Sequence, residues 1–224
     1  MAIDVETKDT TALNDAELSD MADISASSGA EGAFAYDVGE LSKARDAWVL
    51  VTQAADGGRL AGFAFCTLER IGGTPCVLIG MASVKRFAKR EQVLRALVGD
   101  ELRRAVLAFP DEDVLVATRL AEPGGYAAFA DFEDVVPRPA HKPSGEERAW
   151  GRRLAKRFGA EGRVNDRTFV VAGDGEAPGL LDYENGSPGA EYDAFFEPVD
   201  RTKGDTLIVF GWAMAEDLAP LATR

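Results

Sequence analysis

The chain has 224 residues, 46% of them hydrophobic and 28% charged, with a formal net charge of −13. That length suits one elaborated domain, or a domain with a modest extension, and leaves no room for two full enzymes. The composition excludes a globally disordered chain, no run approaches the roughly 20 apolar residues of a membrane span, and the acidic start MAIDVETKDT is the reverse of a secretory leader, so a cytoplasmic protein is expected.

Residues 1–31 form an acidic N-terminal segment in which Asn14 is a helix cap and Leu13, Leu18, Met21 and Ile24 have helical spacing, which predicts a short amphipathic helix. SSGAEG breaks that pattern. AFAYDVGELSKARDA then predicts a short apolar segment running into a second helix. Trp48–Thr52, Leu60–Leu68 and Cys76–Val84 are rich in β-branched and aromatic residues, and ADGG and RIGGTP between them are turn sequences, which together predict a three-stranded antiparallel meander. Val93, Leu94, Leu97, Val98, Leu102 and Val106 then mark one face of a helix of about five turns. DVLVATRL follows as a buried strand. Its parallel pairing with Cys76–Val84 across that helix obeys the right-handed crossover rule.

EPGGYAAFADFE reads as a loop and a short helix, and SGEERAWGRRLAKRF as a further helix with a Ser144/Glu147 capping box, Trp150 and Leu154 on one face, and Gly159 closing it. Thr168–Val171 is a short strand and Thr206–Met214 a buried one, followed by a terminal helical turn. Between them, residues 173–205 form an acidic Gly/Pro-rich connection of the kind that wraps a sheet or covers a pocket. The fold class is therefore α/β, a mixed sheet with helices on its faces. Residues 32–140 form its core, and residues 141–224 a C-terminal extension that completes the sheet.

Charge is zoned along the chain. Residues 1–31 carry eight acids against one lysine, and residues 173–205 nine acids against Arg201 and Lys203. By contrast, residues 85–104 carry seven bases against three acids, and residues 138–167 nine against four. Two basic zones inside an acidic molecule suit a small polyanion better than nucleic acid, whose binding the net charge opposes. Cys66 and Cys76 lie in apolar runs and read as reduced core residues. His141 is the sole histidine, so a multi-histidine metal centre is excluded, and no metal is expected.

An antiparallel meander whose last strand feeds a basic loop and amphipathic helix, then a strand and a short aromatic helix, resembles the GNAT acetyltransferase superfamily over about residues 35–140. The resemblance implies a GNAT-like fold and acetyl-CoA as cofactor. It places the cofactor at a splay beside Cys76–Val84, with the pyrophosphate on the following turn and helix N-terminus, where free N–H groups and the helix dipole favour an anion. The residues that then face the cofactor are Ser83, Val84, Lys89, Arg90, Glu91, Gln92, Val93, Leu94 and Arg95. The family pattern V-x-P-x-x-R/Q-G-x-G/A falls from Val84 to Gln92, but Arg86 stands where its proline should be, and Arg90 and Gln92 where its glycines should be. Two outcomes stay open: basic side chains replace the lost backbone grip, or larger side chains fill the cleft.

Tyr126, one residue out of the family's Y-x-x-x-G-F register, is the candidate acid, and Glu69 a candidate base. The function implied is acetyl transfer to an amine on a small molecule or a protein, with a homodimer as a further expectation and neither nucleic acid nor membrane as partner. The alternatives are a GNAT-fold binding or regulatory protein that has lost coenzyme A, and an interaction protein acting through its acidic ends.

Overall fold

The structure, a computed structural model, describes residues 3–28, 35–183 and 186–223. The sequence break at SSGAEG and the apolar start of the second helix fall largely on residues 29–34, outside the described residues. In chain order the regular elements are β1 (Ile3–Asp9), α1 (Asp15–Ser28), α2 (Val38–Ala47), β2 (Leu50–Asp56), β3 (Arg59–Ile71), β4 (Thr74–Val84), α3 (Arg90–Ala108), β5 (Val114–Leu120), β6 (Glu133–Val136), α4 (Gly145–Arg157), β7 (Val170–Val171), β8 (Leu181–Asp182), α5 (Ala190–Asp193), β9 (Thr206–Ala213) and α6 (Ala215–Leu218).

Strands β1-β2-β3-β4-β5-β9-β6 form one mixed sheet. The predicted meander is present as β2, β3 and β4, paired antiparallel, and β4 pairs parallel to β5 across α3 as the crossover rule requires. This is the element order that the GNAT resemblance implies. At the far edge the sheet gains β1, antiparallel to β2 from Ile3↔Asp56 to Asp9↔Leu50. The sequence reading missed this strand: Ile3, Val5 and Thr7 do alternate, but the acids and lysine between them make the segment look like a solvated tail.

Alternation along the strands assigns the two faces. Phe63, Phe65 and Met81 point to one side and pack under Leu18, Met21 and Ile24 of α1 and Leu41 of α2. Ala64 and Ala82 point to the other, under Val93, Leu94 and Leu97 of α3. Each such aliphatic side chain removed from water contributes about 1.5–3 kcal/mol. Two helices begin at capping boxes, α2 at Asp37 with Glu40 and α4 at the expected Ser144 with Glu147, whereas α3 starts at Lys89 with no side-chain cap. Cys66 and Cys76 are free and buried, and His141 bonds to Glu147 beside the α4 cap. Among the described residues no helix is long and apolar enough to cross a membrane, and no cluster of three or more metal-ligating side chains occurs.

Candidate functional site

Strands β4 and β5 run together for only three residue pairs, Cys76↔Leu115, Val77↔Val116 and Leu78↔Ala117. A last tie, from the Thr118 hydroxyl to the Ile79 carbonyl at 2.8 Å, ends their contact, and the strands then separate. Beyond that point β4 takes a different partner. β8 pairs with it at Ala82↔Leu181 and Ser83↔Asp182, and the Ala82 N–H donates to the Leu180 carbonyl at 2.9 Å. Because β3 holds the other edge of β4 as far as Val84, β8 lies on the side that β5 has left. The splay implied by the resemblance exists, and segment 180–183 of the same chain fills it.

This segment brings charge with it. Asp182 is buried and accepts a hydrogen bond from the Ser28 hydroxyl. Burial pushes its carboxyl up, against the pull of the Arg90, Arg86 and Arg201 guanidinium groups around it. Arg90, the first residue of α3, lies 4.6 Å over the Tyr183 ring. Its Nε and one terminal nitrogen are buried with no hydrogen-bond partner, and desolvation pulls its pKa down. Glu122 completes the cluster, 3.6 Å from Arg201, with its carboxyl also pushed up by burial. Arg90 thus stands at the amino end of α3 with unpartnered donors, and the charges of Arg90, Arg86 and Arg201 all act on the buried Asp182 carboxylate.

The other residues singled out from the sequence are divided by the fold. Val84, Val93 and Leu94 are core side chains. Ser83 is buried with its hydroxyl unpartnered. Lys89 pairs with Asp56 at 2.6 Å, Glu91 pairs with Arg95 along the helix, and Gln92 is exposed. Tyr126 is buried against Tyr192, with ring centroids 4.8 Å apart, and its hydroxyl donates to the Pro137 carbonyl at 3.0 Å. That arrangement packs the tyrosine and uses its proton on backbone. Glu69 is tied to Arg157 and lines a different cavity, so the structure does not bring the two catalytic candidates together.

That cavity, of about 800 Å³, opens on the α2 side of the sheet. Its walls include Trp48, Gly80 and Phe158, and Arg119 also lines it. A Cβ on Gly80 would fall 1.8 Å from the Trp48 ring, so the missing side chain is what lets the indole lie on β4. Gly80→Ala is expected to turn the indole out, at a cost of about 1–3 kcal/mol. A lower thermal midpoint with altered tryptophan fluorescence is the expected reading; an unchanged spectrum and midpoint would rule this packing out.

Arg119 was missed in the sequence, although a lone cation in the mostly apolar run VLVATRL was its signal. It is 9% exposed, and its Nε has no partner. Burial lowers its pKa to about 10, so it stays a cation at neutral pH.

No protein-family profile and no curated protein matches the chain. Among solved structures it is similar to the ribosomal-protein-S18-alanine N-acetyltransferase from Escherichia coli, at 14% identity and a TM-score of 0.43, covering 64% of this chain and 86% of that one. A GNAT family acetyltransferase from Brucella melitensis in complex with acetyl-CoA is similar over 57% of this chain and 82% of that one, at 16% identity and TM-score 0.37. GphF, a GNAT-like decarboxylase in complex with isobutyryl-CoA, is similar over 92% of this chain and 98% of that one, at 12% identity and TM-score 0.40.

Proposed function

We propose that the protein binds an acyl-coenzyme A at the amino end of α3 and transfers the acyl group, acetyl in the first instance, to an amine. One observation carries the reading: Arg90, at the amino end of α3, holds two buried nitrogens without partners over the Tyr183 ring, beside a strand gap that the fold itself opens. A buried donor without a partner costs about 1–3 kcal/mol, and Arg90 has two. A diphosphate in place of Asp182 supplies those partners, because guanidinium groups bind phosphate oxygens through paired N–H bonds. The residues therefore fit the group through side chains, in place of the backbone approach that glycines would allow.

Asp182 is in this view the internal anion that neutralises the site when it is closed. β8 pairs with β4 over only two residues, so little backbone pairing opposes its departure. The bound coenzyme supplies an activated thioester. Arg90, Arg86 and Arg201 hold its phosphates, and the Ala82 N–H, freed from Leu180, is a backbone donor on the exposed edge of β4. In this reading the amine nitrogen bonds to the acyl carbon as the C–S bond breaks, Glu69, which Arg157 orients on the cavity wall, accepts the amine's proton, and coenzyme A leaves as a thiolate that takes its proton from water.

Titration calorimetry with acetyl-CoA tests this. Binding is expected, and Arg90→Gln should weaken it by about ten- to a hundredfold, the worth of one charge-assisted hydrogen bond. A folded protein that gives no heat at about millimolar coenzyme, a concentration that detects even weak sites, would end the proposal. A second reading would then stand, favoured by the gap being filled: a GNAT-like scaffold in which residues 180–183 have permanently replaced the cofactor.

A further inference from the structure

We propose that the cavity on the α2 side of the sheet is a binding site for a small monocarboxylate with an apolar body, and that Arg119 is the residue that holds the carboxylate. Arg119 belongs to β5 at the point where that strand has left β4, and its guanidinium lies 5.4 Å from the Phe158 ring centroid. Among the described residues its side chain makes no ion pair and no hydrogen bond, although it is nine-tenths buried. A buried guanidinium is ordinarily paired, because desolvating its charge without a partner is costly. The cation instead lines a cavity of about 800 Å³, open enough to admit a ligand.

The other charges of the cavity favour one negative charge over two. Lys43, Arg119 and Arg157 line it against Glu40, Glu69 and Glu176. Arg157 is already bound to Glu69, so Arg119 is the buried cation left over. A dianionic phosphate would meet Glu40 and Glu176 with no compensating excess of cations, whereas a carboxylate matches the planar fork of one guanidinium. The apolar remainder has Trp48, Leu78 and Phe158 to lie against, and the Trp48 and Phe158 rings stand 6.2 Å apart. Such a site holds its ligand without any coenzyme. Only the naming of that ligand as the acyl acceptor, an amine carrying a carboxylate, rests on the transferase reading.

Phenylacetate and its neutral isostere phenylacetamide are the probes, with the full-length protein and no coenzyme present. Ligand-observed NMR titration is expected to show phenylacetate binding at least about tenfold more tightly than phenylacetamide, as one charge-assisted pair implies. Arg119→Gln should remove that preference while leaving phenylacetamide binding unchanged. Arg119→Lys keeps the charge without the fork and should retain part of the preference. It also serves as the reading if the glutamine variant fails to fold. The proposal is overturned if the wild-type protein binds the two probes equally or fails to bind phenylacetate at about 10 mM, a limit that detects very weak sites. Full retention of the preference in a folded Arg119→Gln protein would overturn it as well. The acetyl-CoA titration reads coenzyme binding at the amino end of α3, and the probes are titrated with no coenzyme present, so the two proposals fail separately.

Discussion

Replacing Glu101 by glutamine is expected to stabilise the protein at pH 8 by a few kcal/mol and to do much less at pH 5. Glu101 lies on the sheet-facing side of α3, 1% exposed, and neither of its carboxyl oxygens has a nitrogen or oxygen partner. Burial pushes its carboxyl up to about 8, and the neighbouring Asp100 carboxylate adds to the rise, while the Cys66 thiol opposes it. In the unfolded chain the same group titrates near 4.5. Between those values the folded protein holds a proton that the unfolded chain has released. The stability associated with this group is therefore full below the unfolded value, falls as pH rises, and levels off above about 8.

Each unit of difference is worth about 1.4 kcal/mol, which is why the effect is large for one side chain. Glutamine has nearly the same shape and no charge to bury, so the variant should lack this slope. Urea unfolding of both proteins at several pH values measures the difference, in which the titrations of all other groups cancel. If the gap between variant and wild type were constant from pH 5 to pH 8, Glu101 would have to be ionised or hydrated in the folded state.

Tyr36→Phe is expected to tighten acetyl-CoA binding by about tenfold while lowering stability. The Tyr36 hydroxyl, fully buried, donates to the Pro178 carbonyl at 3.0 Å and accepts from the Leu180 N–H at 3.2 Å, so one side chain anchors the entry to β8. Burial and the nearby Asp182 push its phenol well above the ordinary value, so it remains neutral at working pH. Phenylalanine fills the same space and removes both bonds, each worth about 0.5–1.5 kcal/mol net. If coenzyme binding requires segment 178–183 to leave, loosening the closed form raises the fraction of protein competent to bind, and 1.4 kcal/mol converts to a factor of ten. Calorimetry at fixed temperature reads the constant. Unchanged or weaker binding by the variant would mean that β8 and the coenzyme do not compete, and that the arginine cluster serves Asp182 alone.

Local pattern was enough to determine the meander, the crossover helix, the parallel return to Val114–Leu120 and the capped helix at Ser144, because each is written in neighbouring residues. Turn glycines, two-residue alternation, helical spacing and a capping pair act over a few positions and need no distant partner. β1 escaped because its alternation is diluted by charge, and β8 because two residues carry no period at all: Leu181 and Asp182 become a strand only where β4 offers an edge that β5 has vacated. The loss of loop glycines was visible in Arg90 and Gln92, but that Arg90 would face Tyr183 and the buried Asp182 depended on a segment about ninety residues away. Tyr126 and Glu69 were plausible by position, yet whether a hydroxyl meets a substrate or the Pro137 carbonyl is decided by what packs around it. Arg119 shows the same division. The sequence held a cation in an apolar strand, and only the tertiary structure withheld a partner from it and turned it to the cavity.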